Sequence, residues 1–226
     1  MLITAHTGCD QTPDNSIEYL DYVLTTGADG LEVDIRMDSN GSLYLSHDKN
    51  SEDRIPLEEV FTRLQKSGMF CNCDLKESGT ACQVLELAKR YGVEDQICFT
   101  GDVEFSLIRK EESIRKRTLI NLQPILPRIG SQLENGYIPS ETDFEAVRQV
   151  LTDTRGWAVN VPYRFCTDEM LSMFREWGIA VSAWTVNEEE PARKLVHANI
   201  YNITTRIPRM LLRIRDEVQK KSERIK

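Results

Sequence analysis

Three carboxylates occupy alternating positions in two predicted strands, a pattern that could hold a metal ion. Glu32 and Asp34 belong to one strand and Asp74 to another. Strand side chains alternate between two faces, so Glu32 and Asp34 share one face. Carboxylates that meet in one interior repel each other unless positive charge lies among them. Hard divalent cations prefer such oxygen ligands, which favours a Mg²⁺ or Ca²⁺ site. The alternative is an internal salt-bridge cluster that includes Arg36 and Lys76.

Two of the three histidines could supply acid–base chemistry beside these carboxylates. His6 directly follows the first predicted strand, and His47 follows the short apolar run Leu43–Ser46. Imidazole changes its protonation state near neutral pH and can act as a general acid or base. A single histidine is more often structural, but two at the ends of early strands favour a catalytic pair. His197 lies within a predicted helix and is interpreted as structural.

Short apolar segments alternate with segments of helical period along the whole chain, which predicts eight strands and eight helices. The predicted strands are Leu2–Ala5, Gly30–Arg36, Met69–Leu75, Gln96–Phe99, Thr118–Leu122, Trp157–Val161, Ile179–Trp184 and Asn199–Ile203. The predicted helices are Asn15–Thr25, Pro56–Lys66, Gly79–Tyr91, Val103–Glu112, Asp143–Leu151, Thr167–Trp177, Glu188–His197 and one from Pro208 into the tail. Asn15, Thr167 and Asn187 are expected N-caps, because their side-chain oxygens can accept backbone hydrogen bonds.

This alternation predicts a single-domain (β/α)₈ barrel, or TIM barrel, over residues 1–226. A doubly wound sheet is the structural alternative, but no G-x-G-x-x-G sequence follows the first strand. The span Gln123–Glu141 is expected to be a long loop. In a barrel the carboxylates would face the lumen and the two histidines would lie at the C-terminal rim, where barrel enzymes carry out their chemistry.

Composition excludes several classes of protein. The 226 residues carry 36 acidic and 28 basic side chains, for a formal net charge of −8, which argues against sequence-independent binding of nucleic acid. No apolar stretch is long enough to span a bilayer. We therefore expect no nucleic-acid partner and no integral membrane segment, while the oligomeric state stays open. The six cysteines match no common zinc spacing and are expected to be reduced.

Both ends of the chain bear on where the protein works. The chain opens without the charged and apolar regions of a signal peptide, so we expect a cytoplasmic protein. Basic residues cluster from Arg206 to Lys226 beside an apolar helix face. A solvated last helix is the main interpretation, and weak contact with a membrane surface is the alternative.

Several motifs, taken in order, resemble the glycerophosphodiester phosphodiesterase family over nearly the whole chain. The motifs are Ala5–Gly8, Pro13–Ser16, Gly27–Asp34, Asp38–Gly41, His47–Asp48, Ile55–Val60, Asn72–Lys76, Gly178–Asn187 and Thr204–Pro208. The resemblance is weak only between about residues 100 and 155. It implies a (β/α)₈ barrel that uses a divalent metal and two histidines to hydrolyse glycerophosphodiesters to glycerol 3-phosphate and an alcohol.

The resemblance also implies residue roles. The three carboxylates already named would ligate one divalent cation, Mg²⁺ or Ca²⁺, and His6 and His47 would be the acid–base pair of a reaction through a cyclic phosphate. Four further positions are expected to contact the substrate: Asn15, Lys76 facing the phosphate, Trp184 on the glycerol side, and Arg206. Which histidine is the acid and which the base stays open.

Three positions depart from the family pattern. Thr7 stands where the family usually has an arginine, Asp74 replaces the commoner glutamate, and Arg206 stands where an aspartate is usual. In a closed barrel the last strand lies beside the first, so Arg206 could reach the phosphate region left without a guanidinium at Thr7. A surface arginine at a helix start is the alternative.

A fourth departure is a shortening. Only Lys49 to Arg54 separate the His47–Asp48 motif from Ile55, where the family usually has a small inserted subdomain. We therefore expect an open site and leave the alcohol group undetermined. A lysophospholipid or inositol phosphodiester is the alternative substrate. A barrel that binds phosphate or metal without turnover is a further alternative, disfavoured because the histidines and carboxylates are all present.

Overall fold

Within the described part of the chain, eight strands form a closed parallel barrel, which confirms the predicted (β/α)₈ architecture. The computed structural model describes residues 1–49, 54–127 and 139–223. Its strands are β1 (Leu2–Ala5), β2 (Gly30–Met37), β3 (Leu43–Leu45), β4 (Ile55–Pro56), β5 (Phe70–Leu75), β6 (Ile97–Gly101), β7 (Ile120–Asn121), β8 (Ala158–Pro162), β9 (Ala180–Trp184) and β10 (Asn202–Thr205).

Parallel pairing runs around the full circle. β1 pairs with β2 and β10, β2 pairs with β5, and β5 pairs with β6. On the other side β10, β9, β8 and β7 pair in that order. The segment before β7 closes the circle: the Phe99 amide donates to the Arg117 carbonyl at 2.8 Å, and the Leu119 amide donates to the Phe99 carbonyl at 2.9 Å.

Two short strands stand outside the barrel and were not predicted as strands. β3 runs antiparallel to the end of β2, with Ile35 opposite Leu45, and β4 pairs with β3. The Ser46 amide continues this ladder by donating to the Asp34 carbonyl at 3.0 Å. The hairpin thereby carries the chain back over the C-terminal end of β2 and delivers His47 to the rim.

The helices cover the outside of the barrel. They are α1 (Ile17–Val23), α2 (Glu58–Ser67), α3 (Ala81–Tyr91), α4 (Phe105–Lys110), α5 (Glu112–Arg115), α6 (Glu141–Thr154), α7 (Asp168–Glu176), α8 (Glu189–His197) and α9 (Pro208–Glu223). The helix predicted over Val103–Glu112 corresponds to α4, and the separate short helix α5 begins only at the last residue of that range. Most of the predicted Gln123–Glu141 loop, residues 128–138, lies outside the described residues.

Helix starts confirm one predicted N-cap and correct two. Thr167 caps α7, accepting the Met170 amide at 3.3 Å. At α1 the cap is Ser16, which accepts the Tyr19 amide at 2.9 Å, so the prediction of Asn15 was wrong by one residue. At α8 Glu188 takes the capping position instead of Asn187. The Asn15 side chain instead donates to Asp34, and the Asn187 side chain accepts the Arg206 amide at 2.9 Å.

Strand alternation separates an apolar layer from a polar lumen, as predicted. Leu31, Val33 and Ile35 are at most 2% exposed and pack in the core beneath the helices. Cys71 and Cys73 are fully buried in that same core. All six cysteines are free thiols, so the C-x-C sequence is part of the packing and holds no disulfide.

The last helix bears on membrane contact. In α9, Arg215 pairs with Asp29 and Arg213 pairs with Glu189, so part of the basic tail is neutralised within the protein. None of the helices in the described part of the chain has the length and apolar composition that crossing a bilayer requires. Weak contact with a membrane surface stays a prediction.

Candidate active site

A cavity of about 660 Å³ opens at the C-terminal ends of the barrel strands. Its walls bring together most of the residues that the sequence singled out. Those lining it are His6, Glu32, Asp34, His47, Asp74, Lys76, Trp184 and Arg206. Asn15 does not line this cavity and takes a supporting position described below.

The three carboxylates form one cluster because of strand register. Asp34 on β2 lies opposite Asp74 on β5, and Glu32 lies opposite Asn72, one pair deeper in the lumen. One oxygen from each carboxylate lies within 4.8 Å of the others. Glu32 is 7% exposed and Asp34 3% exposed, so both are buried acids. Three hard oxygen donors on neighbouring strands fit a divalent cation.

Lys76 partly neutralises this cluster. Its ammonium nitrogen lies 2.9 Å from Asp34 Oδ1 and 2.5 Å from Asp74 Oδ2. Burial opposes the charged lysine, but the charges of Asp74 and Asp34 outweigh burial and raise the pKa of Lys76. Lys76 therefore forms the predicted salt bridges, and its partners Asp34 and Asp74 are two of the carboxylates that could ligate a cation.

Among the residues that the structure describes, no cationic side chain lies as close to Glu32 as Lys76 lies to the two aspartates. Asn72 donates to Glu32 Oε2 at 3.3 Å, and His6 Nε2 lies 3.6 Å from Oε1. Burial, followed by the charges of Asp74 and Asp34, raises the pKa of Glu32 well above its ordinary value. Added positive charge in the cluster would stabilise the ionised form of Glu32, which is a second reason that the site suits a cation.

Asn15 supports the cluster from behind. Its side chain donates to Asp34 Oδ2 at 2.8 Å and accepts the Asp34 amide at 3.0 Å. Its own amide donates to Thr7 Oγ1 at 2.6 Å. With 8% of its surface exposed, Asn15 orients Asp34; the predicted contact with substrate stays a prediction.

His6 is held in one orientation by the backbone. Its Nδ1 lies 2.8 Å from the Thr7 carbonyl, which can only accept, so Nδ1 carries the proton and Nε2 faces Glu32. Burial lowers the pKa of His6; the hydrogen bond with the Thr7 carbonyl opposes this effect, and the positive charge of Arg206 adds to it. The neutral ring with a free Nε2 lone pair is therefore favoured.

His47 reaches the cavity from the β3 hairpin. Its Nδ1 lies 3.0 Å from Asp48 Oδ1, an acceptor that favours a proton on Nδ1. The His47 side chain is 69% exposed, so few packing contacts hold it. The two histidines thus differ, since the His6 side chain is only 20% exposed beside carbonyl and carboxylate groups, whereas His47 is solvated beside a carboxylate.

Arg206 lies at the rim close to His6, as the barrel-closure argument predicts. Its guanidinium forms a two-pronged pair with Asp14, at 2.7 Å and 3.2 Å, and Nη1 also lies 3.4 Å from the Gly8 carbonyl. Thr7 is 1% exposed and does not line the cavity. The guanidinium beside His6 therefore comes from the end of β10, and its predicted contact with phosphate remains to be tested.

Sequence reasoning missed part of the site. Thr100 follows Phe99, where the predicted strand ended two residues before the end of β6, and its hydroxyl donates to Asp74 Oδ1 at 2.9 Å. Extending the alternation of β6 by one residue would have placed it in the lumen. Asn121 and Asn160 line the far wall and share a hydrogen bond of 2.9 Å. Both lie within strands predicted from the sequence, Thr118–Leu122 and Trp157–Val161, so the same alternation rule would have assigned them to the lumen.

Comparison with solved structures places this fold among known ones. A crystal structure from Agrobacterium tumefaciens has a TM-score of 0.82 over 97% of this chain and 99% of its own, at 13% identity. The glycerophosphodiester phosphodiesterase of Thermotoga maritima has a TM-score of 0.69 at 21% identity, and the match covers 95% of this chain and 98% of that structure. The chain has the glycerophosphodiester phosphodiesterase fold.

Sequence comparison agrees along the same length. The chain is 22% identical to a glycerophosphodiester phosphodiesterase of Caldanaerobacter subterraneus, covering 94% of this chain and 97% of that protein. It is 24% identical to the uncharacterized protein YqiK of Bacillus subtilis, and the match covers 91% of this chain and 95% of that protein. No protein-family model matches the chain. The first of these comparisons spans 252 positions, more than the 226 residues here, so that relative carries segments this chain lacks.

The shortened segment after His47 is partly outside the described residues, because the structure describes Lys49 and Arg54 but not 50–53. Another solved structure of similar fold contains a bound ligand. The structure of an Oleispira antarctica phosphodiesterase, in complex with the product sn-glycerol-3-phosphate, has a TM-score of 0.73 at 17% identity, covering 96% of this chain and 97% of its own.

Proposed function

We propose that this protein hydrolyses glycerophosphodiesters to glycerol 3-phosphate and an alcohol, using one divalent cation and two histidines. The observation that carries the proposal is the joining, in one rim cavity, of a carboxylate triad, two histidines and two basic side chains. Two neighbours support the choice of substrate: one is a glycerophosphodiester phosphodiesterase and the other holds sn-glycerol-3-phosphate.

Glu32, Asp34 and Asp74 are the residues that would hold the cation. Their oxygens suit Mg²⁺ or Ca²⁺, which need neither thiolate nor imidazole ligands. When bound, such a cation lowers the pKa of a coordinated hydroxyl group and offsets the negative charge of the phosphate. Asn15 and Thr100 hold two of the three carboxylates in place through the hydrogen bonds described above.

The histidines divide the proton transfers. His6, with its free Nε2, removes the proton from a glycerol hydroxyl, whose oxygen then bonds to phosphorus. The bond from phosphorus to the alcohol oxygen breaks, and His47 donates a proton to that leaving oxygen. This step yields the free alcohol and a cyclic phosphate. Water then opens the cyclic phosphate with the two histidines in exchanged roles.

Two basic side chains receive the phosphate. Lys76 lies beside the triad, and Arg206 lies at the rim near His6. A guanidinium presents parallel N–H groups that match phosphate oxygens, so Arg206 takes the place of the guanidinium that Thr7 does not supply. Trp184 lines the same cavity and would contact the glycerol side.

Release of glycerol 3-phosphate from purified protein tests the proposal. The substrates are glycerophosphocholine, glycerophosphoinositol and a lysophospholipid, each with Mg²⁺, with Ca²⁺ and with chelator. We expect cation-dependent hydrolysis that His6→Ala abolishes and His197→Ala leaves intact, since His197 lies on α8 away from the cavity. The substrate series identifies the preferred alcohol. Absence of cation-dependent hydrolysis of all three would instead favour a barrel that binds without turnover.

A further inference from the structure

His47 is attached to the outer hairpin, whereas His6, the other proposed catalytic histidine, directly follows the barrel strand β1. It follows the short β3 strand of the outer hairpin, and 69% of its side chain is exposed. Its ring contacts the neighbouring Asp48, which is itself 87% exposed. Packing therefore does little to hold the imidazole over the cavity, and its position depends on how the backbone at residue 47 is held.

Arg36 holds that backbone. Two nitrogens of its guanidinium, Nη2 and Nε, donate to the His47 carbonyl at 2.7 Å and 3.0 Å. Charged donors make stronger hydrogen bonds than neutral ones, and a two-pronged contact also restricts orientation. The neighbouring Ser46 adds one bond, from its amide to the Asp34 carbonyl at 3.0 Å. The chain is thus tied to the end of β2 on both sides of the Cα of His47.

Arg36 is itself firmly placed. Its side chain is 15% exposed, and Nη1 lies 3.6 Å from Glu77 Oε2. Glu77 in turn accepts the Met37 amide at 2.7 Å through Oε1. This chain of contacts joins the ends of β2 and β5 to the loop that carries His47. Arg36 does not line the cavity, so its charge is used on the backbone and not on a substrate.

We propose that Arg36 is a positioning residue that sets the place of the His47 imidazole through the His47 carbonyl. This inference rests on the proposed function, in which His47 protonates the leaving oxygen. A proton donor displaced by about 1 Å can lose a factor of 10 to 100 in rate without any loss of substrate affinity. Arg36 therefore matters for turnover and not for binding.

The test measures Arg36→Gln and Arg36→Lys, with Arg63→Gln as the control. Arg63 pairs with Asp21 and Glu59 outside the cavity. With glycerophosphocholine we expect kcat to fall about 10- to 100-fold in Arg36→Gln while KM changes by less than about twofold. Lysine keeps the charge but cannot donate in two prongs, so its kcat should be intermediate. A rise in KM with unchanged kcat would mean that Arg36 binds substrate, which overturns the proposal.

A double-mutant cycle separates positioning from general weakening. In the His47→Ala background, Arg36→Gln should cause no further loss of kcat, because the group that it positions is already gone. Losses that multiply would show that Arg36 acts through something other than His47. Thermal unfolding of each variant ensures that folded protein is compared.

Nuclear magnetic resonance of the imidazoles tests the positioning without any turnover. The chain has three histidines, so single substitutions assign their ring signals. Arg36→Gln should shift the His47 signals and leave those of His6 and His197 in place. Unchanged His47 signals would refute the positioning role. A wild-type protein with no phosphodiesterase activity would refute the proposed function alone, since this readout needs no substrate.

Discussion

Replacing Lys76 by methionine should tighten cation binding while lowering activity. Methionine removes the positive charge of the lysine and has a side chain of similar length. The lysine nitrogen lies 2.9 Å from Asp34 Oδ1 and 2.5 Å from Asp74 Oδ2, so it engages two of the three carboxylates that would ligate a cation. A bound cation must share these oxygens with a positive neighbour, which repels it.

The size of the effect follows from the charges. The triad with Lys76 carries a formal charge of −2, and without it −3. Two unit charges about 4 Å apart interact by about 4 kcal/mol at an effective dielectric constant of about 20, and by about 1 kcal/mol in water. Because the Lys76 side chain is 20% exposed, we take the lower part of this range and expect affinity for Ca²⁺ or Mg²⁺ to rise at least about tenfold.

Isothermal titration calorimetry of chelator-treated protein measures this affinity, with Lys89→Met as the matched control. Lys89 pairs with exposed Glu86 on α3, far from the cavity, so its loss should leave the affinity unchanged. Phosphodiesterase activity of Lys76→Met should fall even at saturating cation, because the phosphate loses a contact. Weaker or unchanged cation binding in Lys76→Met would show that the lysine organises the ligands more than it repels the cation, and would refute this reasoning.

Three further predictions concern the frame of the site. Gly8→Ala would put a methyl carbon 1.7 Å from Asp14 Oδ1, whereas at Gly41 nothing lies within 4 Å; both glycines have positive φ. The free energy of unfolding should fall by about 1–2 kcal/mol in both variants. Only Gly8→Ala should also lose activity, because it displaces the Asp14–Arg206 ion pair at the rim. Equal activities of the two variants in kinetic assays would contradict this prediction. Tyr19→Phe removes a buried hydroxyl that lies 2.9 Å from a carbonyl on each of two neighbouring strands and should lower the free energy of unfolding in urea by about 1–3 kcal/mol. The matched control is Tyr201→Phe, because Tyr201 is 38% exposed and the loss of its hydroxyl should cost under about 0.5 kcal/mol. Chelation should lower both the melting temperature and the activity, and added Mg²⁺ or Ca²⁺ should restore both; a melting temperature insensitive to chelator and cation would argue against a cation bound in the folded state.

Strand alternation was enough to predict the acidic cluster. Glu32, Asp34 and Asp74 lie on the lumen side of β2 and β5, as the alternation requires, and their apolar neighbours lie in the core. The prediction succeeds because the period of two is a property of the local backbone, which needs no knowledge of the partner strand. The eight-strand count and the order of elements were accessible for the same reason.

Element ends were less predictable. Asn15 was expected to cap α1, yet Ser16 caps it. The Asn15 side chain instead donates a hydrogen bond to Asp34, which lies on the lumen side of β2. Both residue types can cap a helix, so local preference does not choose between them. The choice depends on a carboxylate 19 residues away that needs a donor.

The sequence by itself determined that this chain forms a barrel with carboxylates in its lumen and histidines at strand ends, since these features follow from periodicity and residue chemistry. Only the tertiary structure decided which groups meet. Barrel closure brings Arg206 to the Gly8 carbonyl, 198 residues away along the chain. The fold of the outer hairpin puts the His47 carbonyl on Arg36. Such contacts depend on register and closure, which join distant segments and leave no periodic trace in the sequence.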